Sequence, residues 1–218
     1  MVKNKICFLQ CGNVEIVEGS GKPYFPYHTH NSFIIGVILK GNTLFSIKNR
    51  EFYLGAGMTY VVPPNTGISI TPITPYIYLT ICIKDNLRKA FERYYFNDNL
   101  LFSVGHKICK LCDIFKKDRN INKFVRNLLL LIKSGATTSR INSNDHTYIN
   151  EVKLYVEKHI SEKITLDALS KGVHISKYHL LRSFKRNMGI TPKQYILQEK
   201  LRRIKEDLFA GVLSRVGI

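Results

Sequence analysis

The residues best placed to do chemistry in this sequence are Ser176, Lys177, Tyr178, Leu181, Arg182, Lys185 and Arg186. If Lys177 to Met188 is a helix, Ser176 is its N-cap and the other six share an outward face. Ammonium and guanidinium groups at that spacing can meet phosphate oxygens. An arginine can grip a guanine edge with two hydrogen bonds, and a leucine can rest on a thymine methyl. A basic, capped helix of this kind suits a DNA major groove.

Two other groupings contain potential metal ligands. His28 and His30 lie two residues apart, on the same face of an extended segment. They either face inward and touch a ligand or hydrogen-bond the rim of whatever strand layer holds them. His106, Cys109 and Cys112 recur every three residues along one helical face. Three ligands on one straight helix do not converge on a tetrahedral zinc, and no fourth stands nearby in sequence. The five cysteines are odd in number, which favours reduced thiols acting as small buried apolar groups.

The elements that must position the basic face are also legible. Thr165 can cap a short helix from Leu166 to Val173, with Asp167 near its positive end. Leu169, Val173, Ile175, Leu180 and Phe184 supply the apolar contacts that two steeply crossing helices need. Ser170 is small enough for close approach. Ahead of this pair, Ile149, Val152, Val156 and Ile160 form one face of a helix from Tyr148 to Ile160. After it, Pro192 suits the first turn of a long helix, with Ile196, Leu197, Leu201, Ile204 and Leu208 in a stripe. Gly211 is expected to end that helix.

The stretch ISKYHLLRSFKRNMGITPKQYI resembles the first helix-turn-helix of the AraC/XylS family of bacterial transcription regulators. The matching positions are Ser176, His179, Leu180, Phe184, Lys185, Gly189, Thr191, Pro192 and Tyr195. His174 stands in the turn where the family often has Gly or Asn. The resemblance implies that Tyr178, Leu181 and Arg182 contact DNA. It covers Tyr148 to Gly211. The family's DNA-binding domain goes on to a second unit of similar size, whereas VLSRVGI follows Gly211 here, so the domain reads as truncated after the connecting helix.

Residues 6 to about 83 read as β structure. Short apolar runs such as FIIGVILKG, NTLFSIKN and YIYLTICI are punctuated by Gly and Pro, which suggests a small barrel or sandwich. Lys40-Gly41-Asn42 and Lys48-Asn49-Arg50-Glu51 look like hairpin turns, and Gly55 and Gly57 mark another. PYHTHNSFIIGVILKG and YLGAGMTYVVPPNTGISI are similar to the paired cupin-type motifs of AraC-family barrels. There the family's metal-binding Glu and second His positions fall at Ile34 and Ile68, so neither a metal, another cofactor nor an enzyme is expected. The aromatics Tyr24, Phe25, Tyr27, Phe33, Tyr60, Tyr76 and Tyr78 either line a pocket for a small organic effector or fill the barrel core. His28, His30, Tyr27 and Tyr60 are the effector-binding candidates.

From about Asn86 the spacing turns helical in LRKAFERYYF, KICKLCDIFKK and INKFVRNLLLLIKS. Phe124, Leu128, Leu131 and Ile132 form a stripe that suits a homodimer contact. Ser134 to Thr147 is polar and aperiodic, as a linker would be. The expected fold class is therefore α+β. It comprises a cupin-like sensor and dimerisation domain with its helices (1–133), a linker (134–147) and an all-α helix-turn-helix domain (148–218).

Net charge is +17, distributed unevenly: residues 150–218 hold 14 basic and 7 acidic side chains, against 6 and 3 in residues 1–83. Phosphate backbones are natural partners for such a surface, with strong salt dependence. No apolar run approaches the ~20 residues of a membrane span, and the N-terminus lacks a signal-peptide core, so a cytoplasmic location is expected. The function expected is sequence-specific binding of double-stranded DNA as an effector-responsive transcription regulator. A short form that dimerises with and antagonises full-length relatives is the second reading, and a cupin enzyme the third.

Overall fold

The computed structural model describes residues 4–47, 50–84, 87, 91, 100–101, 104–135 and 147–216. The chain divides into two units, Met1–Ile141 and Asn142–Ile218.

The first unit is built from two antiparallel sheets. The larger has the order β1 (Lys5–Cys11), β2 (Val14–Gly21), β9 (Tyr76–Ile83), β4 (Phe33–Lys40), β7 (Thr59–Val62) and β10 (Leu100–Leu101). The smaller runs β3 (Phe25–His28), β8 (Ile68–Pro72), β5 (Thr43–Ile47) and β6 (Arg50–Leu54). Strand β4 explains why its sequence is a nearly unbroken apolar run. Ile34 and Ile38 point into the space between the sheets, among Phe45, Ile47, Ile70 and Tyr78. Phe33, Ile35 and Val37, on the alternate face, meet two helices, α1 (Gly105–Asp118) and α2 (Ile121–Gly135). Both faces are covered, so both must be apolar.

The structure corrects several expectations for this unit. Lys40-Gly41-Asn42 is not a hairpin turn. Strand β4 pairs with β7 and β9, whereas β5 pairs with β6 and β8, so the segment crosses from one sheet to the other. Gly41 takes φ 81° there, and a Cβ would stand 2.2 Å from the Pro75 carbonyl oxygen. Gly55 and Gly57 mark the return crossing from β6 to β7. Strands β5 and β6 do form a hairpin, Ile47 opposite Arg50, with Lys48 and Asn49 outside the described residues. Strand β10 lies beyond Asn86, where only helix was expected. It pairs with Thr59 and Tyr60 and covers the edge of β7.

The dimer stripe is also corrected. Phe124, Leu128 and Ile132 are at most 2 % exposed within a single chain, in the core that joins α2 to the larger sheet. Phe124 stacks on Phe115 of α1 at 4.3 Å. A helix of period 3.6 shows only one face to the sheet, and this stripe is that face. Leu130, on the opposite side of α2, is 58 % exposed, beside Ile114 of α1 at 49 %. Of the LRKAFERYYF segment only Leu87 and Phe91 are described, and Phe91 lies buried against Phe33. Most of the expected linker, 136–146, lies outside the described residues.

The second unit contains α3 (Thr147–Lys158), α4 (Leu166–Gly172), α5 (Lys177–Met188) and α6 (Pro192–Val216). Its core gathers Val152, Val156, Leu169, Val173, Leu180 and Phe184. Helix α6 does not stop at Gly211, as expected, but runs through it to Val216. An interior glycine costs only about 1 kcal/mol relative to alanine, less than continuing hydrogen bonds can offset. Along α6, Leu197, Leu201, Ile204 and Leu208 are 55–65 % exposed, while Tyr195, near the start, is buried.

Candidate nucleic-acid interface

Two caps set the ends of α5. The Ser176 hydroxyl accepts a hydrogen bond from the His179 N–H at 3.2 Å, and Gly189 closes the helix with φ 76°. In α4 the Thr165 hydroxyl accepts from the Ala168 N–H at 3.1 Å. The turn between the helices passes through His174 at φ 55°, a left-handed conformation that a β-carbon disfavours. The turn is held by the Ile175 N–H donating to the Ser170 carbonyl at 3.1 Å. Ser170 is buried, as the close crossing requires.

Helix α5 buries Leu180, Ser183, Phe184 and Met188. The opposite face is outward: Lys177, Tyr178, Leu181, Arg182, Lys185 and Arg186 are all exposed, Tyr178 by 72 %. The structure therefore brings these six to one face. Ser176 is committed to its cap. Lys185 and Arg186 occupy the last turn, where they also complement the helix dipole.

Three features of this unit escaped the sequence reading. Lys177 forms an ion pair with Asp167 of α4. Asn187 donates from its amide to the Tyr148 hydroxyl at 3.0 Å and to the Ser183 carbonyl at 2.9 Å, tying α5 to α3. Gly172 lies under Tyr155, where a Cβ would come within 2.4 Å of the ring. The contacts between elements, Lys177 with Asp167, Asn187 with Tyr148 and Gly172 with Tyr155, link residues far enough apart in sequence to leave no periodic signal. Only the glycine ahead of a turn was a visible cue.

The four effector candidates in the first unit do not share one environment. His28 and His30 meet, Nε2 to Nε2, at 2.8 Å. His28 Nδ1 lies 2.6 Å from the Pro26 carbonyl oxygen, which can only accept, so Nδ1 carries a proton. The loop after them is tied down by the Asn65 N–H, which donates to the His30 carbonyl at 2.5 Å. Asn65 takes φ 61°, and its buried Oδ1 has no hydrogen-bond partner among the described residues. Tyr60 is a core residue, 2 % exposed, with its ring 4.6 Å from Phe45. Burial pushes its phenol up to about 12. Tyr27 is 37 % exposed and Tyr24 61 %. Phe33 faces the helices, because strand alternation puts it with Ile35 and Val37. Of the seven aromatics, Tyr60, Tyr76, Tyr78 and Phe25 pack together in or against the core between the sheets.

This donor set does not fit a metal centre. Ile34 and Ile68 are each 2 % exposed in the inter-sheet core and offer no lone pair. Among the described residues no group of three or more His, Cys, Asp or Glu side chains could hold an ion. On α1, Cys112 is buried in the core, and burial pushes its thiol up to about 12, while His106 is exposed. Among the described residues no helix is long and apolar enough to cross a membrane.

A double-sheet unit, followed by a unit with a capped helix-turn-helix and a basic outward helix, is the architecture of a two-part regulator. Comparison with known proteins agrees. Residues 16–91 match the AraC-like ligand binding domain, and residues 156–197 match the bacterial regulatory helix-turn-helix proteins of the AraC family. The chain belongs to the AraC family of transcriptional regulators. It is 28 % identical over 207 residues to the uncharacterized HTH-type transcriptional regulator YbfI of Bacillus subtilis, covering 86 % of this chain and 75 % of that one. It is 26 % identical over 213 residues to the HTH-type transcriptional activator Btr of the same organism, covering 88 % of this chain and 40 % of that one. Among solved structures it is similar to the AraC-like transcriptional activator CuxR, at 13 % identity and a TM-score of 0.49, covering 92 % of this chain and 80 % of that one.

Proposed function

We propose that this regulator reads double-stranded DNA by laying α5 in a major groove, in the cytoplasm, under control of a small organic effector bound by the first unit. The observation that carries the reading is the outward face of α5. It exposes a phenol, an aliphatic side chain and four cations on a helix capped at both ends and anchored by a buried opposite face. Tyr178, Leu181 and Arg182, in its N-terminal half, are assigned to base edges. Lys185 and Arg186, farther along, suit phosphates. The relatives' names describe regulators, which supports control of transcription over catalysis as the role of both units. His28 and His30, near the loop that Asn65 anchors, are the effector-contacting residues in this reading.

The regulator acts as a homodimer in this proposal, through a face other than the buried stripe. Leu130 stands between two surface grooves, one lined by Lys107, Lys110, Ile114 and Asn127 and the other by Asn122, Arg126 and Lys133, with apolar floors. A two-fold axis would set Leu130 of each protomer into the partner's groove. Among the described residues no carboxylate lines either groove, so two copies bring cations together and added salt should strengthen the pairing.

Selection of a random-sequence duplex pool on the full chain tests the DNA reading. A consensus should emerge with wild type and be lost or relaxed with Tyr178→Ala and Arg182→Ala. Failure to enrich, or enrichment indifferent to both variants, overturns it. Light scattering tests the dimer: Leu130→Asp should yield a monomer, and a dimer that persists places the interface elsewhere.

A further inference from the structure

We propose that Asp167 attenuates the DNA affinity of the second unit, by holding the Lys177 ammonium in an ion pair that withholds one cation from the phosphate backbone. The inference rests on the reading of α5 as the DNA-facing helix. Lys177 is the first residue of α5, and Asp167 sits in the first turn of α4. Their contact joins the two helices of the motif at the N-terminal end of the reading helix. In a helix-turn-helix, that end approaches base edges while the preceding helix crosses the backbone. Both partners are more than half exposed, 53 % and 61 %, so the pair lies on the surface that nucleic acid would approach.

By sequence alone Lys177 is one more cation on the outward face beside Tyr178, in reach of bases or phosphates. In the structure that end of α5 carries a charge-neutral pair instead. The cations that remain on the face are Arg182, Lys185 and Arg186, and the last two belong to the far turn. Non-specific binding is almost entirely phosphate attraction, whereas specific binding adds contacts to base edges. Neutralising Lys177 lowers the first without touching Tyr178, Leu181 or Arg182. The effect of Asp167 is therefore to lower the affinity of this face for phosphate, about uniformly across sequences.

The pair is exposed and screened, so its removal should barely change stability. Its effect on DNA is larger. One more phosphate contact changes the slope of log K against log salt by about −0.9, which is about 8-fold tighter binding at 0.1 M salt than without it. The test uses the full chain, a random-sequence 30-base-pair duplex and fluorescence anisotropy across a salt series. Asp167→Asn should bind about 8-fold tighter near 0.1 M salt, with a slope steeper by about one. Asp167→Glu, which keeps the carboxylate, should behave as wild type. In a Lys177→Met background the gain from Asp167→Asn should fall below about 2-fold.

An unchanged or weakened Asp167→Asn, with its helical signal and melting intact, overturns the proposal. So does a gain of equal size without Lys177, because the carboxylate would then act on DNA directly. The underlying reading fails separately. If wild-type binding to the duplex is untouched by Arg182→Ala combined with Lys185→Ala, α5 is not the DNA-facing helix, and this inference falls with it.

Discussion

Replacing Phe184 by alanine should strongly destabilise the DNA-binding unit while sparing the first. Phe184 is 0 % exposed, at the centre of a core that includes Leu169, Val173 and Leu180, with its ring 5.5 Å from that of Tyr195. A Phe→Ala change in such a site costs about 3–5 kcal/mol, because the cavity relaxes only in part. The unit spans Asn142–Ile218, 77 residues, and domains of that size are stable by only about 4–12 kcal/mol. The loss is thus comparable with the whole stability. At roughly 4–8 °C per kcal/mol for a unit of this size, its melting transition should fall by at least about 12 °C. Calorimetry on the full chain, with anisotropy on duplex DNA at each temperature, is the assay. Tyr178→Ala provides the contrast. At 72 % exposed it should leave the transition within about 0.5 kcal/mol of wild type while weakening DNA binding. A Phe184→Ala transition within 4 °C of wild type would refute the core assignment. Equal shifts in both units would refute their energetic independence.

Three further outcomes follow, two from single positions and one from a set of buried groups. His174→Gly should stabilise the second unit by about 1 kcal/mol in chemical denaturation, because glycine removes the left-handed strain at φ 55°. Gly36→Ala should destabilise the first unit by about 1–3 kcal/mol, since its Cβ would stand 2.0 Å from the buried Tyr60 ring. Tyr60→Leu in the same chain should recover much of that loss. The first unit should also weaken above about pH 9. Burial pushes the thiols of Cys82 and Cys112 up to about 12 from an ordinary 9.0, and the Tyr60 phenol up to about 12 from 10.0. The folded state thus keeps protons that the unfolded chain releases between pH 9 and 12. Stability is fully present below pH 9 and falls by up to about 1.4 kcal/mol per pH unit for each group above it. Denaturant titrations at pH 8, 10 and 11 measure the slope, and a flat profile would show that these groups are not shielded from water.

The helix-turn-helix was legible because its determinants are local. Ser176 and Thr165 cap the helices that follow them within three residues, and Gly189 ends α5. Leu180 and Phe184 repeat at helical spacing, so one face was bound to be buried. The barrel was legible only as alternation and turns. Gly41 showed where the chain bends, but hairpin and sheet-to-sheet crossing have the same turn chemistry. Which strand lies beside β5 depends on contacts with β6 and β8 rather than on the turn. The Phe124 stripe illustrates the same limit: periodicity shows that a face is apolar but not what covers it. Its partner is the chain's own sheet.

By itself, then, the sequence determined the two kinds of unit and the caps and outward cations of α5. Each is set by residue type and by spacing within one element. Tertiary structure decided what each group finally touches. It joined His28 to His30 across 2.8 Å, buried Tyr60 against Phe45 and left Tyr27 outside, and closed Asp167 on Lys177 across the motif. It also turned Leu130 outward and carried α6 through Gly211. These outcomes depend on the packing of elements distant in sequence or on small differences between helical and left-handed backbone, where a contact worth about 1 kcal/mol outweighs local preference.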